Sequence, residues 1–231
     1  MKFVISLVLG LLTGALLFLA GMYFNPFTGQ ASVSPLAVTT DRVVDLSFSA
    51  VPGEAILYTD HGEAITRPYP ERVAELREPA VYKTNIFVTM LEDGRGSPVG
   101  LGIKMQSHSE DTALIRGQAL ANSIWHVYLP GQGTLMIDQS ENYWAYIRDV
   151  MIPARMSSDD NWRGIFHRVM TSGPGSHGTA RVIGGSGDFA DITAESVESL
   201  TVKDYSSATG PVSMDGRLTI AIPQSQVAPR K

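Results

Sequence analysis

Val99-Gly-Leu-Gly-Ile-Lys-Met105 is the stretch on which the fold turns. Its apolar side chains, Val99, Leu101, Ile103 and Met105, fall at every second position, which is the period of an extended strand and not of a helix. The same period recurs in Tyr82–Met90, where Tyr82, Thr84, Ile86, Val88 and Met90 share a face, and in Arg217–Ile222, where Leu218, Ile220 and Ile222 do. Further strands are expected at Val43–Ser49, Ala55–Thr59, Ala113–Gly117, Ile124–Leu129, Gly133–Asp138, Tyr143–Arg148, Ile165–Met170, Thr179–Ile183 and Val197–Lys203. Turn sequences punctuate them: Glu92–Pro98, Pro130–Gly133, Ser172–Ser176, Gly184–Gly187 and Asp215-Gly216. Many short strands separated by such turns make a meandering sandwich or barrel. One short helix is expected over Pro70–Glu78, opened by Pro70 and ended by Pro79. Ser140–Met151 also fits a helical stripe through Tyr143, Ile147 and Val150.

Upstream of the strands, Phe3–Phe24 reads FVISLVLGLLTGALLFLAGMYF and carries no charge. At about 1.5 Å per residue a helix of this length spans roughly 33 Å, enough to cross a bilayer core of about 30 Å. Only a helix satisfies its own backbone there. Tyr23, Phe24 and Phe27 suit an interfacial belt, and Asn25-Pro26 ends the helix. A cleaved signal peptide fits less well. The apolar run is too long, Ala20 lacks a small residue two positions before it, and Gly29-Gln-Ala31 lies well beyond the run. Lys2 and the amino terminus are the only positive charges ahead of the helix, and no charged residue of either sign follows before Asp41. The positive-inside rule therefore puts the N-terminus in the cytoplasm and the main domain in an extracytoplasmic, periplasmic space. Ser6, Gly10 and Gly14 form a small-residue stripe on which another membrane helix could pack, although glycine is common in such helices anyway.

The expected organisation is thus an anchor over residues 1–25, a small polar linker over 26–41, one β domain over 42–222, and a patternless tail over 223–231. About 180 residues suffice for a single core. The formal net charge of −5 gives no electrostatic case for a nucleic-acid partner. The absence of cysteine fits an oxidising compartment without requiring one.

Gly178-Thr-Ala-Arg-Val-Ile-Gly-Gly-Ser-Gly-Asp-Phe-Ala190 reads as strand, glycine turn, and an aromatic re-entering the core. It resembles the glycine-rich turn of the allene oxide cyclase and dirigent families. Asp215-Gly-Arg-Leu-Thr-Ile220 looks like their closing strand. The likeness covers the last 60 or so residues best and departs from those families in the N-terminal helix. It implies a mainly β fold: an eight-stranded antiparallel barrel with a cavity, of the allene oxide cyclase or lipocalin kind, preceded by the membrane helix. Gly184, Gly185 and Gly187 would permit positive φ, and Phe189 would plug the core. The resemblance further implies either binding of an apolar molecule or its guided cyclisation.

Catalytic motifs do not decide between these. The five histidines, His61, His108, His126, His167 and His177, show no metal-ligand spacing, and no metal or other cofactor is expected. His61 follows Asp60 but precedes a turn glycine, which favours an exposed position. His126 shares a face with Ile124 and Tyr128, opposite the more apolar Trp125, Val127 and Leu129, which are the default core. His167 has the same ambiguity. Should the first face look inward, His126, Tyr128 and Arg181 are the candidates to orient a substrate. Asp138, Glu141 and Asp149 gather near Trp144 and Tyr146, as an acid/base group or as a solvated strand edge. Gly184-Gly-Ser-Gly187 is neither a nucleophile elbow nor a phosphate loop. Three readings follow: a tethered module that binds an apolar small molecule or lipid, an accessory subunit of a membrane complex, and a cyclase or isomerase. Whether the domain catalyses a reaction is left open by the residues.

Overall fold

The described residues of the computed structural model are 2–24, 35–36, 42–51, 58–60, 63–65 and 84–223. The expected helix over 70–78, residues 55–57 of one expected strand, His61, Phe27, nearly all of the linker and residues 224–231 lie outside them. The first element, α1 (Lys2–Tyr23), is a single 22-residue helix, apolar enough to cross a membrane and without a buried residue in its own body.

The strands are β1 (Arg42–Ser49), β2 (Tyr58–Asp60), β3 (Glu63–Ile65), β4 (Thr84–Glu92), β5 (Pro98–His108), β6 (Leu120–Leu129), β7 (Gly133–Asn142), β8 (Asn161–Val169), β9 (Ala180–Gly187), β10 (Glu195–Ser206) and β11 (Gly210–Ile222). β2 and β3 pair only with each other. The other nine form one antiparallel sheet in the order β11-β1-β4-β5-β6-β7-β9-β10-β8, and β10 also pairs with β11, so the sheet returns on itself as a ring. β9 holds β10 only at Glu195 and Ser196, and β8 takes over that edge from Ser199 to Ser206. Between β1 and β4, Ser47 opposite Glu92 is the one registered pair.

Inside the ring lies one apolar core. Leu46, Phe48, Leu91, Trp125, Val127, Leu129, Leu135, Ile137, Leu218 and Ile220 meet there, all buried. Each such side chain contributes roughly 1.5–3 kcal/mol through burial. Trp125 packs edge-on to Phe48 at 4.8 Å and to Phe87 at 5.6 Å. Room for these rings comes from missing side chains: a Cβ on Gly102 would sit 2.7 Å from the Trp125 ring, and one on Gly216 would sit 2.1 Å from the Phe48 ring. The more apolar face of β6 is therefore the inner one, as its alternation suggests. On β4 and β5 the polarity is reversed. Ile86, Met90 and Met105, 60%, 42% and 41% exposed, point outward, and Phe87, Thr89, Leu91, Gly102 and Lys104 point inward.

Two expected strands are not strands. Leu114–Arg116 is a 3-10 turn closed by Gly117 at φ 67°, a left-handed position that glycine takes without strain. Tyr143–Arg148 belongs to a helical segment, α2, made of an α turn (Trp144–Tyr146), a π turn (Ile147–Met151) and a second α turn (Ile152–Met156). Asn142 causes the change. Its side-chain Oδ1 accepts from the Trp144 backbone N at 2.9 Å, which ends β7 and begins the helix. α2 packs Tyr146, Val150 and Ala154 on Phe166, Val202 and Tyr205. Gly184–Gly187, expected as a turn, is the end of β9, where Gly184, Gly185 and Gly187 pair with Met136, Leu135 and Gly133 of β7; of the three only Gly187, at φ 63°, takes positive φ. Gly185 is required for space instead, since a Cβ there would lie 2.3 Å from the Phe189 carbonyl oxygen. Phe189 is fully buried in the core.

Candidate binding cavity

Three charged residues stand on the inner face of the ring, from three different strands. Lys104 is on β5, Glu141 at the end of β7 and Glu198 on β10, and they are 2%, 0% and 1% exposed. Strand alternation puts them there: Gly102, Lys104 and Gln106 share the inward face of β5, as Leu135, Ile137, Gln139 and Glu141 share that of β7. Lys104 Nζ donates to Glu141 Oε1 at 2.5 Å and to Glu198 Oε1 and Oε2 at 2.7 and 2.9 Å. Glu198 Oε2 also accepts from Trp125 Nε1 at 2.7 Å and from Gln139 Nε2 at 2.5 Å. Glu141 Oε2 accepts from Ser123 Oγ at 3.1 Å and Gln106 Nε2 at 3.2 Å, and Tyr143 OH lies 3.4 Å from Oε1.

Two carboxylates face one ammonium, so full ionisation would leave a net negative charge inside the protein, which is costly in a low-dielectric interior. The two glutamates divide the burden unequally. Burial, and then the neighbouring Glu198 charge, push the Glu141 carboxyl up to about 7 despite Lys104. Burial acts on Glu198 as well, but the Lys104 charge and hydrogen bonds from Lys104, Trp125 and Gln139 outweigh it and hold Glu198 below the usual carboxylate range. Burial alone would depress the Lys104 ammonium; the two carboxylates reverse this and raise it. Burial and the Glu141 charge raise the Tyr143 phenol, which stays protonated. The cluster is thus a fixed ion pair, Lys104–Glu198, with a carboxyl beside it that exchanges its proton near neutral pH.

This cluster borders a cavity of about 430 Å³. Lys104, Gln106, Tyr143 and Glu198 supply its polar wall, and Phe48, Phe87, Leu200 and Met214 its apolar ones. It lies where β1 and β4 splay apart after their single registered pair, between Ala50 and Val51 on one side and Asn85 and Ile86 on the other. The size is that of small-molecule sites, which are mostly apolar with a few convergent polar groups.

The sequence candidates lie elsewhere. His126 and Tyr128 are on the outer face of β6, Tyr128 being 48% exposed, and Arg181 is exposed on β9. Arg181 borders a separate polar cleft with Asn122, Asp138 and His177. The three do not converge, and none reaches the interior cavity. His167, also exposed, sits 2.9 Å from Thr201. Of the acidic group, Asp138 faces outward and Asp149 pairs with Arg148 at 2.6 Å, so only Glu141 turns inside. On α1 a Cβ at Gly10 or Gly14 would meet nothing within 4 Å, and Ser6 donates to the Lys2 carbonyl. Among the described residues no three of His, Asp and Glu gather as a metal site. The residues that sequence reading missed are Lys104 and Glu198. Their trace is a charged residue at an inward register position among buried neighbours, visible once the register is known.

No protein-family model and no curated protein matches this chain. Among solved structures it is similar to that of the pterocarpan synthase dirigent protein, with 11% identity and a TM-score of 0.38 over 82% of this chain and 99% of that one.

Proposed function

We propose that this protein is a membrane-tethered β-barrel module that holds an apolar small molecule or lipid inside the barrel. The supporting observation is the interior cavity of about 430 Å³, apolar on most sides and bordered by the buried Lys104–Glu198 pair. Barrels of about eight strands leave room for one small ligand. Tethering rests on the length and hydropathy of α1, with the N-terminus in the cytoplasm and the β domain on the far side. A role as the accessory subunit of a membrane complex, docked through Ser6, Gly10 and Gly14, is compatible with this reading.

The test is native mass spectrometry of the full chain released from detergent micelles with 1-decanol. One decanol per chain is expected, and Leu200→Trp, which fills the cavity, should abolish the adduct. Failure of wild type to retain decanol, or retention undiminished in Leu200→Trp, overturns the reading. One observation favours catalysis as a second reading: Tyr143 lines the cavity and its hydroxyl donates to the buried Glu141, a carboxyl that burial and Glu198 push up to about 7, so the phenol can relay a proton between Glu141 and an apolar substrate that is isomerised or cyclised. Glu141→Gln would then remove turnover while leaving the decanol adduct intact.

A further inference from the structure

A second cavity, of about 400 Å³, adjoins the first. Asn85, Gln106, Tyr143 and Tyr146 line both. The inner chamber lies inside the ring. The outer one lies under α2, with Leu114, Leu120, Ile147 and Met151 as apolar walls. We propose that the two chambers form one elongated site for an uncharged, single-chain lipid of the bilayer, whose hydrogen-bonding group lies at the polar wall of the inner chamber and whose chain runs past the junction into the outer chamber. The inference rests on the inner chamber being a ligand site at all.

The chemistry of the junction selects the ligand. Its side chains are amides and phenols: Asn85, Gln106, Tyr143 and Tyr146. The Tyr146 hydroxyl is buried with no hydrogen-bond partner, and burial, with Tyr205 nearby, raises its pKa, so it remains an O–H donor in want of an acceptor. An alcohol, ester or amide oxygen supplies one. A carboxylate would add a third anion next to Glu141 and Glu198, and an ammonium would compete with Lys104 for both, so neither charge fits. Apolar walls on both sides of the junction suit a chain that passes from the inner chamber into the outer one, and the joint volume suits a ligand of lipid size.

Its source follows from the proposed tether. With α1 in the bilayer, membrane lipid is the apolar ligand at hand, and Ile147 and Met151 of the π turn give its chain apolar walls in the outer chamber.

The experiment compares 1-decanol with 1-hexadecanol on the full chain, both presented at equal mole fraction in the same micelles and counted by native mass spectrometry. Drawn from micelles, extra methylenes gain nothing unless the protein shelters them. The proposal expects one hexadecanol per chain, held within about threefold as well as decanol. Leu114→Trp, at a half-exposed position in the outer chamber, should leave decanol binding unchanged and weaken hexadecanol at least tenfold, because several methylenes worth about 0.8 kcal/mol each would be displaced. Ile147→Trp is the second variant if circular dichroism finds the first unfolded. Two independent decanols per chain, hexadecanol bound far more weakly than decanol by wild type, or equal losses of both alcohols in the variants would overturn it. An absence of binding by either alcohol would instead remove the inner-chamber reading, and this inference with it.

Discussion

Replacing Lys104 by methionine keeps the length of the side chain and removes the one cation among the described residues that touches Glu141 and Glu198. Both carboxyls are essentially without solvent, so they must share the interior with no compensating charge. Removing one partner of a buried ion pair costs roughly 3–5 kcal/mol, a large part of the total stability of a domain. The cost depends on pH. Above neutrality both carboxylates are ionised in the unfolded chain and at least one must take up a proton to fold. In mild acid that proton is readily available. Urea unfolding of the full chain in micelles, followed by tryptophan fluorescence at pH 5 and pH 8, measures the difference. Trp125 donates to Glu198 and lies 5.5 Å from Lys104 Nζ, so it reports the site directly. A loss of roughly 3–5 kcal/mol at pH 8 that shrinks clearly at pH 5 is expected. A loss below about 1 kcal/mol at pH 8, the size of an exposed pair, or the same loss at both pH values, would refute the reasoning.

Three further outcomes follow from the same geometry. Glu141, raised to about 7 when folded, binds a proton more tightly in the folded than in the unfolded chain, so its contribution to stability is present below the ordinary carboxylate range and lost as pH rises through about 7. Wild type should therefore lose up to roughly 1.4 kcal/mol per pH unit in that window, and Glu141→Gln should flatten the slope in the same urea titration. Gly102→Ala puts a methyl 2.7 Å from the Trp125 ring and 3.1 Å from Leu91; a loss of roughly 1–3 kcal/mol in urea is expected from overpacking. Tyr146→Phe removes a buried hydroxyl that has no partner, and should leave stability unchanged or raise it, while weakening hexadecanol binding in the mass-spectrometric assay.

The β fold was legible wherever alternation set apolar against polar residues. On β6 the contrast between Trp125, Val127, Leu129 and Ile124, His126, Tyr128 is strong enough to fix the inward face. On β5 it misleads, because the inward face carries Gly102, Lys104 and Gln106 while Leu101, Ile103 and Met105 look out. Glycine is there to admit Trp125, and lysine is there to meet Glu141 and Glu198, which are 37 and 94 residues away in the chain. Neither reason is local, so no window of sequence contains it. The helical segment after Asn142 was one of two readings of its stretch, for a related reason. Tyr143–Arg148 satisfies both periods, and the deciding contact is the Asn142 side chain on the Trp144 backbone. Gly187 and Phe189 behave as the turn sequence implies, since a left-handed turn residue and an aromatic plug are local requirements. Glu141 was visible as a member of an acidic group, but only the register of β7 separates it from Asp138: Asp138, one position before inward-facing Gln139, looks out, and Glu141, two positions after it, looks in.

The most direct test of the central claim, that the interior cavity is where an apolar ligand sits, is photolabelling of the full chain with a diazirine-tagged decanol, followed by peptide mapping. Covalent label on Phe87, Leu200 or Met214, the cavity walls, is the predicted result. Label confined to His126, Tyr128 and Met136, on the outer face of the sheet, would contradict it.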